Sequence, residues 1–162
     1  MARRRLGSAS CLAATPVAAF TVAAALAAAG CGKDDRPLPP ACTQGAGAIA
    51  FALREAPRAV RLSDGTRLST CVERARSDAD IQNLGSLYTT VADALATRAH
   101  GSDRAALELG YLVGATRRGA AHTNGIHLEL QRRLEQAIGV GGPPAPRRAA
   151  YGRGLVAGAR AG

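Results

Sequence analysis

The sequence predicts a mainly α protein: a small bundle of three to four helices with one short β-hairpin at about residues 58–72. Three observations carry that expectation. Apolar residues recur at intervals of three and four along 77–100, 103–119 and 124–138. Capping serines stand at Ser77 and Ser102, and glycines at Gly101 and Gly119 close the segments that follow them. Alternating residues around Asp64-Gly65 supply the hairpin signal.

The elements follow in order. Residues 32–41 hold three prolines and four charges and read as an extended tether. Ala46, Ile49, Ala50 and Leu53 repeat at helical spacing, so a short helix over 44–56 should end before Pro57. In the hairpin, a three-residue Ser63-Asp64-Gly65 loop with Gly65 at positive φ pairs Val60 with Leu68. It also gathers Val60, Leu62, Leu68 and Val72 on one face. Ser77 with Asp80 resembles a capping box, and Ile81, Leu84, Tyr88, Val91 and Leu95 form the apolar seam of the strongest helix.

Ser102 caps the next helix, which runs through Leu107, Leu109 and Tyr111 to Arg117-Arg118 in its last turn. Thr123 or Asn124 caps a further helix with Ile126, Leu130, Leu134 and Ala137-Ile138 as its stripe. The helical domain is thus expected over 42–139. Residues 140–162, a Gly/Pro linker and a basic tail, are expected to be disordered or weakly helical.

Composition narrows the function. The 162-residue chain has no Trp, two Phe and three Tyr, so its core must come from Ala, Leu, Val and Ile. The formal charge of +9 is unevenly placed. Arg3, Arg4 and Arg5 carry three of those charges, Arg147, Arg148, Arg153 and Arg160 carry four, and residues 31–146 hold only 14 basic against 12 acidic groups. A nucleic-acid surface needs a basic patch with stacking aromatics, and this near-neutral stretch has neither.

The leader gives an address. A basic start is followed by an apolar, Ala-rich stretch from about Cys11 to Ala29, the layout of a secretory signal peptide over 1–30. Ala27-Ala28-Ala29 fits ordinary signal peptidase. Ala28-Ala29-Gly30-Cys31 resembles the lipobox of bacterial lipoproteins, departing at Ala28, where that class carries Leu. The resemblance covers the leader alone. It implies lipid on Cys31 and anchoring to the extracytoplasmic face of the bacterial cell membrane without a spanning helix. Cys11 then leaves with the leader and Cys31 carries lipid, so Cys42 and Cys71 remain to form a disulfide in an oxidising compartment.

No motif points to catalysis. G-x-S-x-G, H-E-x-x-H and a phosphate loop do not occur, and no cofactor is expected. His122 and His127, with Glu129 nearby, straddle a helix start and read as surface or capping residues, so no metal site is expected. Gly110-x-x-x-Gly114 reads as close backbone packing against a neighbouring helix. The expected function is a membrane-anchored, non-enzymatic envelope module for structure or for binding a protein partner. Arg147, Arg148, Arg153 and Arg160 would offer a contact for anionic lipids or envelope polymers. The alternative is an extracytoplasmic binder of a small ligand held between the hairpin and the Ile81–Leu95 seam; a hydrolase without a recognisable motif ranks behind it.

Overall fold

A computed structural model describes residues 36–137, 139 and 142–162. The leader, Cys31 and Ile138 lie outside them. Six α-helices and no strand are present among the described residues: α1 Ala46–Leu53, α2 Leu68–Arg74, α3 Asp78–Ala99, α4 Asp103–Ala120, α5 Leu128–Ala137 and α6 Arg148–Ala161.

The center of the bundle is α4. Every residue from Ala105 to Thr116 is buried, and α1, α2, α3, α5 and α6 all pack on it. A helix covered on all sides must be small or apolar all round, and Ala105-Ala106-Leu107 and Leu109-Gly-Tyr-Leu-Val-Gly-Ala115 meet that need. Glu108 and Thr116 are the exceptions: Arg104 one turn earlier pairs with Glu108 at 2.8 Å, and the Thr116 hydroxyl donates to Leu112 O at 2.9 Å. The N-termini of α3 and α4 form as their sequences direct: Ser77 accepts from the Asp80 amide at 3.1 Å and Ser102 from the Ala105 amide at 3.2 Å.

The expected hairpin is absent. Its turn exists: Gly65 has φ +84°, and the Leu62 amide donates to Thr66 O at 2.9 Å. The flanking strands do not form, because Leu68 opens α2. Leu68, Cys71, Val72 and Ala75 recur at helical spacing and are all buried, a stripe that outweighs the alternation around the turn. The Val60 amide, which a hairpin would have paired across to the Leu68 strand, donates instead to Tyr111 Oη at 3.0 Å. Cys71 on α2 and Cys42 lie at disulfide distance, their Cα atoms 5.6 Å apart.

The start of α5 is also later than expected. Asn124 and Gly125 both take positive φ, 50° and 88°, and form a turn instead of a cap. Helix begins at Leu128, and Ile126 falls outside the buried stripe of Leu130 and Leu134.

The largest correction concerns the tail. Residues 148–161 are neither a mobile tail nor a separate segment, because they form α6, which packs on α4 more extensively than any other pair of helices. The two run parallel. Gly154 faces the carbonyl of Leu107, Gly158 that of Tyr111, and Gly110 and Gly114 of α4 face the carbonyls of Tyr151 and Leu155. A Cβ at any of the four would collide with backbone. The G-x-x-x-G of α4 is therefore a packing motif, matched by Gly154-x-x-x-Gly158. At the far end, Arg118 donates to the carbonyls of Ala159, at 3.2 Å, and Arg160, satisfying the last turn of α6.

Candidate functional site

Of the residues singled out from the sequence, Cys31 lies outside the described residues. Cys42 and Cys71 are brought together in the core, both fully buried. The four tail arginines do not act alike. Arg147 is spent on the α3–α4 turn, donating to Asp103 Oδ1 at 2.9 Å and to Gly101 O at 3.3 Å. Arg148, Arg153 and Arg160 are exposed. At about 100° per residue they fall on the outward side of α6, together with Val156.

The cavity that a small-ligand site would need between 58–72 and the α3 seam is filled. Val60, Leu62, Leu68, Leu84, Tyr88 and Leu95 are all buried there in one core. Tyr88 Oη donates to Leu68 O at 2.9 Å, so its one polar atom is satisfied inside that packing. Burial pushes the phenols of Tyr88 and Tyr111 above their ordinary range, which keeps both neutral.

The histidines do not converge either. His122 is exposed, whereas His127 is buried, with Nε2 2.9 Å from Ala75 O. A carbonyl only accepts, so Nε2 carries the proton and Nδ1 is left without a partner. Burial holds the imidazole below its ordinary pKa. His127 thus ties the start of α5 to the end of α2. Among the described residues, no group of three or more His, Cys, Asp or Glu side chains could hold a metal ion.

The open concavity that sequence reasoning missed lies on the outer side of α3, where α5 crosses it. It has a volume of about 490 Å³. Ile81, Gly85 and Thr89, each four residues apart on α3, form one wall, and Ile126, Leu130 and Arg133 form the other. Gly85 makes the groove: a Cβ built there would meet nothing within 4 Å. The Thr89 hydroxyl donates to Gly85 O at 2.7 Å, a bond to its own helix. At the rim Glu129 accepts from Arg133 and Arg132, and these bonds hold its carboxyl below the usual carboxylate range. Ile126 is 53 % exposed and Leu128 beside it 61 %, an apolar edge left to solvent. The signal available in the sequence was the small-and-hydroxyl column of Gly85, Ser86, Thr89 and Thr90 along one side of α3.

Of the charged groups lining the groove, Glu129 and Arg133 are paired with each other at 2.8 Å. It offers apolar edges, a glycine on its α3 wall and an ion-paired rim. No family model, no curated protein and no solved structure matches this chain. Among the described residues no helix is long and apolar enough to cross a membrane.

Proposed function

We propose that the chain is an exported lipoprotein of the bacterial envelope, anchored by lipid on Cys31 at the extracytoplasmic face of the cell membrane. Its helical domain is a non-enzymatic interaction module. The observation that carries the module reading is the α3/α5 groove, with Ile126 and the neighbouring Leu128 exposed at its edge. The pairing of Cys42 with Cys71 supports the oxidising compartment that export would give. Arg148, Arg153 and Arg160 form a second, weaker contact with anionic lipid or envelope polymer. Each exposed arginine near an anionic surface contributes about 1 kcal/mol.

Gly85→Leu tests the groove. Its Cβ has open space at this position and leucine raises helix propensity, so the domain should stay folded while the side chain occupies the groove. Crosslinking in intact cells should capture a protein partner with the native chain and lose it with Gly85→Leu. Equal capture by both would refute the groove as the contact. Mass spectrometry of the native N-terminus tests the address, where an acylated Cys31 is expected and an N-terminus at Gly30 would refute it.

A further inference from the structure

We propose that the cleft at the α3–α4 corner is a binding site for a phosphate monoester. The cleft has a volume of about 700 Å³ and brings together three arginines from three elements: Arg54 at the end of α1, Arg98 in the last turn of α3 and Arg104 in the first turn of α4. Ala50, Ser102 and Ala105 are the small residues of its lining.

Charge accounting selects the ligand. Glu108 lines the cleft and is paired with Arg104, whose second contact is the carbonyl of Arg54. Asp103, the other acid at this corner, is paired with Arg147 at 2.9 Å. Among the described residues, Arg54 and Arg98 have no carboxylate partner. Arg54 lies over the Phe51 ring, 5.5 Å from its centroid, and Arg98 uses Nε on the Ala94 carbonyl at 3.3 Å, which leaves its two terminal nitrogens to the cleft. Two positive charges therefore go unmatched. A carboxylate would neutralise one of them; a phosphate monoester, at about −1.5 to −2 near neutral pH, neutralises both. Guanidinium groups also suit its oxygens, since each presents a planar pair of donors.

The site is independent of the lipid on Cys31 and of the α6 arginines. The phosphate could belong to a soluble ester or to a phosphatidate headgroup, and the test separates them. Inorganic phosphate, with acetate as the comparison, is titrated calorimetrically into the oxidised chain without its leader, at low ionic strength. Phosphate should bind at least about tenfold tighter than acetate. Arg54→Gln and Arg98→Gln should each weaken it by about tenfold, the loss of one charge-assisted contact. Arg76→Gln, at an exposed arginine outside both the cleft and α6, should leave it unchanged. Equal affinity for the two anions, no binding of phosphate, or the same loss in Arg76→Gln would each overturn the proposal.

Retention on phosphatidate vesicles that phosphate competes away, and that Arg54→Gln/Arg98→Gln abolishes, assigns the headgroup as the source. Phosphate binding without such retention assigns the soluble ester. Vesicle binding that disappears only with the α6 arginines belongs to the surface contact and refutes a headgroup site in the cleft. Both glutamine variants keep the backbone contacts of the native residues, and matching thermal unfolding curves will show that the fold is intact.

Discussion

Helix α5 enters the bundle through side chains, burying Leu130 and Leu134 while Leu128 and most of its charges stay in water. Helix α6 enters through its backbone, burying Ala150, Gly154 and Gly158 against the carbonyls of α4. The two attachments fail in opposite ways. A side-chain contact is weakened by removing atoms, because each lost methylene gives up transfer energy and leaves a void. A backbone contact is weakened by adding them, because there is no space for a single Cβ. Glycine in a helix costs about 1 kcal/mol relative to alanine, and at Gly154 and Gly158 that cost is offset by close approach to α4.

The sharpest break of the comparison is Gly154→Leu. A side chain at this position points into the Leu107 carbonyl and the Tyr111 amide, so α6 must leave α4. The loss should reach about 4–5 kcal/mol, the upper end for a single substitution. Urea unfolding would measure it, and a cost under about 1 kcal/mol would show that α6 is not docked as described. Truncating residues 148–161 should be equally damaging, so the proposed anionic-surface contact of α6 must be probed by exposed-residue substitutions and not by deletion.

The α5 side of the comparison is tested by subtraction. Leu134 is fully buried, and Leu134→Ala should cost about 3 kcal/mol. Leu128→Ala, at an exposed position in the same helix, should stay within about 0.5 kcal/mol. Similar costs at the two positions would mean that α5 packs by a different face.

What could be read from the residues divides along the same line. The α3 and α4 segments were legible because each has a side-chain period and a serine cap, and both caps form. Helix α6 was not, because Gly152, Gly154 and Gly158 count as helix breakers in isolation and as packing surfaces only once α4 is present. Leu68-x-x-Cys71-Val72-x-x-Ala75 carried a helical period that the Asp64-Gly65 turn obscured. The α3/α5 groove depends on which side of α3 is left uncovered, and the short period of α5 does not fix that. The arginine cleft joins residues 54, 98 and 104 across three elements, which no local pattern contains.

His127 adds a pH dependence to the α5 attachment alone. Burial holds its folded pKa below the ordinary value of 6.5, so the unfolded chain binds the proton more tightly. Its contribution is complete above pH 6.5 and is lost as pH falls through the folded value, with a slope of at most about 1.4 kcal/mol per pH unit. His127→Gln keeps a donor for Ala75 O and does not titrate. Stability measured from pH 7.5 to pH 5 should show a shallower slope in that variant, and an unchanged slope would remove His127 as its source.

The smallest expected effect separates the two kinds of glycine within α6 itself. Gly152 lies two residues from Gly154, yet a Cβ built on it meets nothing within 4 Å. At this position glycine contributes no close approach and only the entropic cost of a flexible residue in a helix. Gly152→Ala should therefore stabilise the protein by about 0.5–1 kcal/mol. Gly158→Ala, which places the same methyl against the Tyr111 carbonyl, should destabilise it by about 1–3 kcal/mol. The chemical change is identical in the two variants, and so is the helix. Opposite signs in urea unfolding would isolate the α4 contact as the reason these glycines are present. The same sign at both positions would reduce α6 to a helix of poor propensity resting loosely on the bundle.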